Sequence, residues 1–111
     1  MIRERRAPQH DLQKAKELAR CGPMCCNDRI RRFIMNRYGV FDIRGFLADL
    51  FDEIKPENFH KSAESTKVPG VWLDIYRGVE FEDEEWYVKF FIDDGEVRLS
   101  ILSANWDEYI H

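Results

Sequence analysis

Hydrophobic residues recur with a helical period in the first half of the chain. In three segments they fall every three or four positions, which places them along one side of a helix. We therefore predict helices over Asp11–Arg20, Asn27–Tyr38 and Asp42–Ile54. An aspartate that can cap a helix begins the first and third segments, and glycine or proline follows each of the three.

After Pro56 the hydrophobic residues alternate with polar ones, which is typical of strands. Strands are predicted over Val71–Arg77, Glu85–Ile92 and Glu96–Ser103, with Asn58–Ser65 as a further, edge strand. Asp93-Asp94-Gly95 is predicted as a hairpin turn, because glycine tolerates the positive φ of tight turns. The pattern indicates an α+β fold in which N-terminal helices pack on one face of an antiparallel β-sheet.

The composition fits a globular protein. A chain of 111 residues suits one domain, residues 1–111, and 44% hydrophobic with 34% charged residues argues against disorder. No apolar run reaches the roughly 18 residues of a membrane span, and the charged N-terminus predicts no secretory signal. Three cysteines cannot all pair within the chain, which favours a reducing, cytoplasmic location.

Charge is distributed unevenly along the chain. The net charge is −4, from 17 basic and 21 acidic residues, which disfavours binding of nucleic acid through whole-molecule charge. Basic residues dominate positions 1–44, whereas acidic residues cluster at 49–57 and 80–85. A local basic site is therefore compatible with the acidic total.

The predicted strands have two different faces. Side chains two positions apart share a face, so Trp86, Val88, Phe90 and Ile92 should meet the helices. Tyr87 and Lys89 then lie on the opposite face, and Leu73, Ile75 and Arg77 likewise share one face of the preceding strand. That face is either an ordinary solvated surface or a binding site for an anion such as phosphate.

A cluster of cysteines invites a metal interpretation. Cys21, Cys25 and Cys26 lie near one another, with His10 upstream. Structural zinc sites use two separated ligand pairs, and the adjacent Cys25 and Cys26 cannot easily bind one ion. The spacing favours free thiols, and no metal site is predicted.

Three sequence blocks resemble the MqsR toxin family. They are Asn58-Phe59-His60-Lys61-Ser62, Val71-Trp72-Leu73-Asp74-Ile75-Tyr76-Arg77 and Trp86-Tyr87-Val88-Lys89. The family pattern reads D-F-Y-K-S, W-Q-D-V-Y-R and Y-hydrophobic-K in the same order. A weaker likeness extends upstream through Arg6-Ala7-Pro8 and Phe41-Asp42, so the resemblance covers nearly the whole chain.

The resemblance implies a RelE-like fold and a metal-independent, cofactor-free endoribonuclease that cleaves mRNA. It implies a type II toxin–antitoxin system, in which a cognate antitoxin, commonly the zinc- and DNA-binding MqsA, neutralises the toxin. Lys61 and Tyr87 fall on positions that the family uses for catalysis, and Lys89 lies beside them. In two places the chain departs from the family, with Leu73 replacing a glutamine and Ser103 replacing a C-terminal lysine.

Metal-free RNA cleavage needs a base, an acid and cations around the reacting phosphate. Lys61 could act as the base if its pKa were lowered, or otherwise as a charge stabiliser, and Tyr87 could donate a proton or orient the phosphate. Arg77 and Arg98 could bind phosphate, and one of them could replace the absent C-terminal lysine. His60 has a near-neutral intrinsic pKa, but on a regular strand it points away from Lys61.

Four further expectations concern neighbouring positions. Trp72 is expected in the core rather than as a platform for base stacking, and Asp74 is expected to form structural hydrogen bonds. Tyr76 fits either environment. The segment Trp106–His111 could add a helical turn or contact a partner.

Three functional hypotheses follow. The leading one is a toxin that cleaves mRNA and is neutralised by an antitoxin. The alternative is a catalytically weak or inactive family member that binds protein or RNA, which the residues at 73 and 103 and the pI of about 5.4 favour. The third is a structural subunit that uses the exposed strand after Pro56 for β-augmentation.

Overall fold

The computed structural model describes residues 2–107, in which helices precede a sheet as predicted. The elements in chain order are β1 (Glu4–Arg5), α1 (Leu12–Cys21), β2 (Met24–Cys26), α2 (Asp28–Tyr38), α3 (Ile43–Asp52), a 3₁₀ turn (Pro56–Asn58), β3 (Phe59–Glu64), β4 (Trp72–Phe81), β5 (Glu84–Asp93) and β6 (Arg98–Trp106). The predicted α+β fold is confirmed. No helix among the described residues is long and apolar enough to cross a bilayer.

Each helix begins where a side chain can cap it. The carboxylates of Asp11 and Asp42 and the amide oxygen of Asn27 each accept a hydrogen bond from the backbone N–H three residues on, at 3.0 to 3.1 Å. These bonds satisfy N–H groups that have no partner within the helix. At the other end, Gly39 closes α2 with a φ of 64°, a left-handed conformation that glycine adopts without strain.

The hydrophobic core lies between the helices and one face of the sheet. The helices contribute a stripe of buried side chains that includes Leu18, Ile34, Leu47 and Phe51. Trp86, Val88, Phe90 and Ile92 of β5 are buried against them, as predicted. The fully buried Trp86 ring contacts the rings of three helical residues at centroid distances of 5.8 to 6.1 Å: Phe33, Tyr38 and Phe46.

The sheet has the order β1-β3-β4-β5-β6-β2, and its four long strands form the predicted antiparallel meander. Strands β1 and β2 were not predicted, because strands of two and three residues are too short to show a period. Strand β2 pairs parallel to β6. Strand β1 pairs with Ser62 and Ala63 of β3, so this part of the segment after Pro56 is not the exposed edge that was predicted to be available for β-augmentation.

The connection between β5 and β6 is a hairpin, as predicted, but its left-handed residue is not the glycine. The N–H of Gly95 donates to the carboxylate of Asp93 at 2.9 Å, whereas the positive φ, 51°, belongs to Val97. Strand β6 therefore begins only at Arg98 and runs on to Trp106, beyond the predicted end. Residues 108–111 of the predicted C-terminal turn lie outside the described residues.

A buried carboxylate ties the N-terminal segment to the centre of the sheet. Asp74 is 0% exposed and accepts hydrogen bonds from the backbone N–H groups of Gln9 and His10 at 2.9 to 3.1 Å. The hydroxyl of Ser62 lies 2.5 Å from the same carboxylate. The His10 ring continues this anchor, because it contacts the carbonyl oxygen of Trp72 at 2.7 Å. The structural role predicted for Asp74 is confirmed, and this anchor holds β1 beside β3.

Trp72 does not lie in the core, contrary to expectation. Its ring is partly exposed at the start of β4, and the guanidinium of Arg5 lies over it at 3.9 Å from the ring centroid. Tyr76, by contrast, is 1% exposed and stacks on Phe90 at 5.9 Å. The difference arises because Trp72 lies at the end of the strand, where the N-terminal segment rather than a helix covers it.

Replacing Asp74 tests the anchor. Asp74→Ala leaves two partly buried backbone N–H groups without an acceptor, so the free energy of unfolding should fall by about 2 to 4 kcal/mol. Ser62→Ala removes one neutral donor and should cost about 1 kcal/mol. Urea denaturation measures both. An Asp74→Ala variant within about 0.5 kcal/mol of the wild type would contradict the role of this carboxylate.

Candidate active site

The candidate site lies on the sheet face that is turned away from the helices. We call this the open face, and it carries Lys61, Leu73, Ile75, Tyr87, Lys89 and Ser103. Lys61 and Lys89 both pair with Ile75, one from each side. Two strand spacings separate them, so their backbones lie roughly 10 Å apart. The two lysines therefore lie on a common face of the sheet.

A bulge in β3 brings His60 to the open face. Phe59 pairs with Tyr76 and Lys61 pairs with Ile75, so one extra residue, His60, interrupts the register. A bulge of this kind sets two residues of one strand opposite a single residue of its neighbour. The alternation that would have turned His60 away from Lys61 is therefore broken, and that part of the prediction is wrong.

The charges around His60 agree with this placement. Desolvation lowers its pKa below the usual 6.5, and the positive charges of Arg77 and Lys61 lower it further. Two of the predicted site cations thus lie close enough to affect the imidazole. At pH 7 the imidazole is neutral and can accept a proton.

A second bulge, in β4, positions Arg77. The register between Tyr76 and Val79 contains one residue more than the facing part of β5, and Gly78 adopts a φ of 65° there. The N–H of Gly78 donates to Asp107 at 3.0 Å, and its carbonyl oxygen accepts from the Asn58 amide at 3.2 Å. Because Asn58 immediately precedes β3, this contact also links the two bulges. The guanidinium of Arg77 lies 6.0 Å from the Tyr87 ring centroid.

A third bulge lies in β6, next to Lys89. Lys89 pairs with Ser103 and Phe90 with Ile101, which leaves Leu102 as the extra residue. The backbone carbonyl of Leu102 accepts a hydrogen bond from the Asn27 side chain at 3.1 Å. Leu102 and Ser103 together thus oppose Lys89. All three bulges surround the same part of the open face.

Two of the site cations are already neutralised by carboxylates. The ammonium of Lys61 lies 2.5 Å from Glu4 of β1, and this hydrogen bond lowers the pKa of the Glu4 carboxyl. Arg77 donates from Nε and Nη2 to one oxygen of Asp107, at 2.9 and 2.6 Å, which raises the pKa of Arg77. Neither carboxylate carried a signal in the sequence, because both partners are distant along the chain.

Tyr87 and Lys89 are in a different electrostatic state. Both are partly buried, and burial raises the pKa of the Tyr87 phenol and lowers the pKa of the Lys89 ammonium. Within residues 2–107, the Tyr87 hydroxyl forms no hydrogen bond and Lys89 forms no ion pair. Across the strand from Tyr87, the buried side-chain oxygen of Asn105 also has no hydrogen-bond partner among those residues. Such atoms are uncommon in folded proteins, and a polar ligand could use them.

Arg98 does not join the predicted set. It pairs with Asp93 beside the hairpin and lies 3.5 Å from Glu96. The strand rise places it roughly 15 Å from Ser103 along β6. It therefore cannot replace the family lysine at that position. Lys89 is better placed, because it is the direct cross-strand partner of Ser103.

The cysteines form no metal site with His10 in the structure. Both ring nitrogens of His10 already have partners, the carbonyl oxygen of Trp72 and the N–H of Ile92. Cys25 contacts the Ser100 hydroxyl at 3.3 Å, and burial raises the pKa of the Cys26 thiol. Among the residues that the structure describes, no group of three potential ligands could hold a metal ion.

The open face therefore combines a neutral imidazole, two ammonium groups, a protonated phenol and a guanidinium. Such a set can accept and donate protons and can stabilise a negatively charged oxygen without a metal. The sequence predicted Lys61, Tyr87, Arg77 and Lys89 for this face. It missed Glu4 and Asp107, and the glycine at 78 was the one signal of a bulge.

The comparisons with known proteins support a family assignment. None of the curated proteins matches the chain. A family model described as "Motility quorum-sensing regulator, toxin of MqsA" matches residues 7–103, which is most of the chain. The chain therefore belongs to the MqsR family, the toxins of toxin–antitoxin systems.

Proposed function

We propose that the protein is a metal-independent endoribonuclease that cleaves mRNA, the toxin of a type II system held inactive by a cognate antitoxin. One observation carries the proposal. Lys61 and Tyr87, which fall on the family's catalytic positions, share the open face with Arg77 and His60, which bulges bring beside them. MqsA or a similar protein would be the antitoxin, and the cytoplasm, where mRNA is available, would be the location.

The proposed reaction needs no group beyond the RNA and these side chains. The 2′-hydroxyl oxygen attacks the adjacent phosphorus, and the bond from phosphorus to the 5′-oxygen breaks. The products are a 2′,3′-cyclic phosphate and a free 5′-hydroxyl. A base takes the proton of the 2′-hydroxyl, an acid gives a proton to the 5′-oxygen, and cations stabilise the crowded phosphorane.

The protonation states suggest how the roles are divided. His60 is neutral at pH 7 and suits the base, while the phenol of Tyr87 keeps its proton because its pKa is raised, and suits the acid. The ammonium of Lys61 donates to the Glu4 carboxylate at 2.5 Å, which fixes its position on the open face. Lys61 is therefore better suited to stabilise the phosphorane than to act as the base.

Arg77 would orient the phosphate. Asp107 engages its Nε and Nη2, which leaves the Nη1 hydrogens for a phosphate oxygen. The same carboxylate holds the N–H of Gly78, so it fixes both the bulge and the guanidinium. Lys89 would supply a second positive charge, from the position opposite Ser103.

The alternative is a family member that binds RNA or protein without cutting. Carboxylates already partner Lys61 and Arg77, and leucine and serine replace two polar family residues at 73 and 103. A wild-type protein that binds a labelled RNA but does not cleave it would favour this alternative.

The nuclease proposal is tested with a labelled RNA in the presence of EDTA. Cleavage should survive the chelator, and Tyr87→Phe and Lys61→Ala should each lower kcat about 100-fold or more, because each removes a group that acts on the reacting phosphate. RNA methylated at every 2′-oxygen should resist cleavage, because the nucleophile is blocked.

Lys16→Gln serves as the control, because Lys16 lies in the helical layer, where it donates to a backbone carbonyl of α3 at 3.2 Å. Equal cleavage by the wild type, Tyr87→Phe and Lys61→Ala would show that these residues are not catalytic.

The pH profile tests the role of His60. Its pKa is lowered below 6.5, and the neutral form is the base, so kcat/KM should rise with pH through a midpoint below 6.5 and then level off. His60→Gln should abolish this ascending limb and lower the plateau about 100-fold. An unchanged limb in the variant would assign the base to another group.

A further inference from the structure

A groove runs beside the candidate active site. It has a volume of about 610 Å³ and lies between the N-terminal end of α2 and the loop that follows β3. Leu73, Ile75 and Lys89 line it, together with Leu102 and Ser103. Ile75 is also the residue that pairs with Lys61, so the groove continues directly from the candidate site.

The charge of the groove is strongly positive. Arg29 and Arg32 of α2 and Lys67 of the loop line it in addition to Lys89. All three added side chains are exposed, and within residues 2–107 none of them has an ion-pair or hydrogen-bond partner for its charge. One carboxylate, that of Glu64, is found among the described lining residues, and it already accepts from the N–H of Gly70 at 2.9 Å. Unpaired cations along a groove attract a polyanion.

Acidic residues cluster away from this positively charged groove. Glu80, Glu82, Asp83 and Glu84 line a separate depression at the far end of β4, where the strand turns into β5. The groove lies at the beginning of the same strand, at Leu73 and Ile75. A polyanion approaching the open face is therefore repelled from one end and attracted to the other.

The arrangement of the cations fits a phosphodiester chain. Arg29 and Arg32 are three residues apart in α2, so they lie on one side of the helix with Cβ atoms about 5 to 6 Å apart. Lys67 lines the same groove from the loop after β3, and aliphatic side chains, among them Leu73 and Ile75, complete the lining. Among residues 2–107, those that line this groove include no aromatic side chain, so they offer phosphate contacts rather than the stacking surfaces that usually bind single-stranded bases.

We propose that this groove binds the sugar–phosphate backbone of the RNA next to the cleaved phosphate, with Arg29, Arg32 and Lys67 as its phosphate contacts. The inference rests on the proposed nuclease function, whose substrate it extends beyond the reacting nucleotides. The continuity with Lys61 and Lys89 favours RNA over an acidic segment of a protein partner. Since the contacts are to phosphates, the groove adds affinity without selecting a sequence.

The test is a triple variant, Arg29→Gln/Arg32→Gln/Lys67→Gln. Binding of a 2′-O-methyl RNA of about 12 nucleotides is followed by fluorescence anisotropy over a series of salt concentrations. The Kd should rise about tenfold or more at low salt, and the slope of log Kd against log salt should fall by about 2, because three phosphate contacts to a single strand are lost. In cleavage, KM should rise while kcat stays within about twofold of the wild type.

A matched variant, Lys14→Gln/Lys16→Gln/Lys55→Gln, removes the same charge outside the groove and the open face. It should bind RNA and respond to salt nearly as the wild type does. Unfolding curves show whether both triple variants remain folded. If the groove triple variant is unfolded, the test is repeated with the double variant Arg29→Gln/Arg32→Gln. If both triple variants lose RNA affinity to the same extent, the loss follows from total charge rather than from the groove, and the proposal is overturned.

The other outcomes separate the two proposals. If the wild type binds RNA but does not cut it, and the groove variant loses binding, the groove assignment holds while the nuclease assignment fails. If the groove variant keeps the wild-type RNA affinity and KM, the groove assignment is wrong while cleavage by the wild type remains. Retained RNA affinity together with lost neutralisation by the antitoxin would instead assign the groove to the protein partner.

Discussion

The site depends on three extra residues in neighbouring strands of one sheet. In a regular sheet, His60 would point away from Lys61, and Arg77 would lack the turn at Gly78 that places it over Tyr87. A bulge breaks hydrogen bonds between neighbouring strands. Here side chains from elsewhere bond the freed backbone groups: Asn58 and Asp107 bond to Gly78, and Asn27 bonds to Leu102. The reactive groups thus converge because the strands are irregular, and the core behind them keeps that irregularity in place.

Acidic and basic side chains are separated on the surface of the protein. The chain is acidic overall, yet two carboxylates near the open face, Glu4 and Asp107, each hold one cation, and a cluster of others lies at the β4–β5 turn. Within the part of the chain that the structure describes, Lys89 and the cations of the adjacent groove have no carboxylate partner. A net charge of −4 therefore does not prevent this surface from binding RNA, because binding depends on the local potential near the phosphates.

The sequence predicted the parts of this arrangement that local periodicity controls. Helical stripes and caps correctly predicted the helices and their buried sides. The alternation of β5 correctly predicted its core side and the common face of Tyr87 and Lys89. The sequence could not predict β1 and β2. Strand β1 is held by β3 and by the anchor at Asp74, and strand β2 is held by β6. The face of His60 was wrong because a bulge changes alternation without an obvious mark in the residues. Arg98 was misjudged for a simpler reason, since a shared face says nothing about distance along a strand.

The central claim is that the open face is where this protein meets RNA. NMR chemical-shift mapping of the wild type with a non-cleavable 2′-O-methyl RNA tests it most directly. We expect the largest shifts at His60, Lys61, Arg77, Tyr87 and Lys89, with little change in α1 and α3. Shifts concentrated on those helices, or on the acidic turn between β4 and β5, would contradict it.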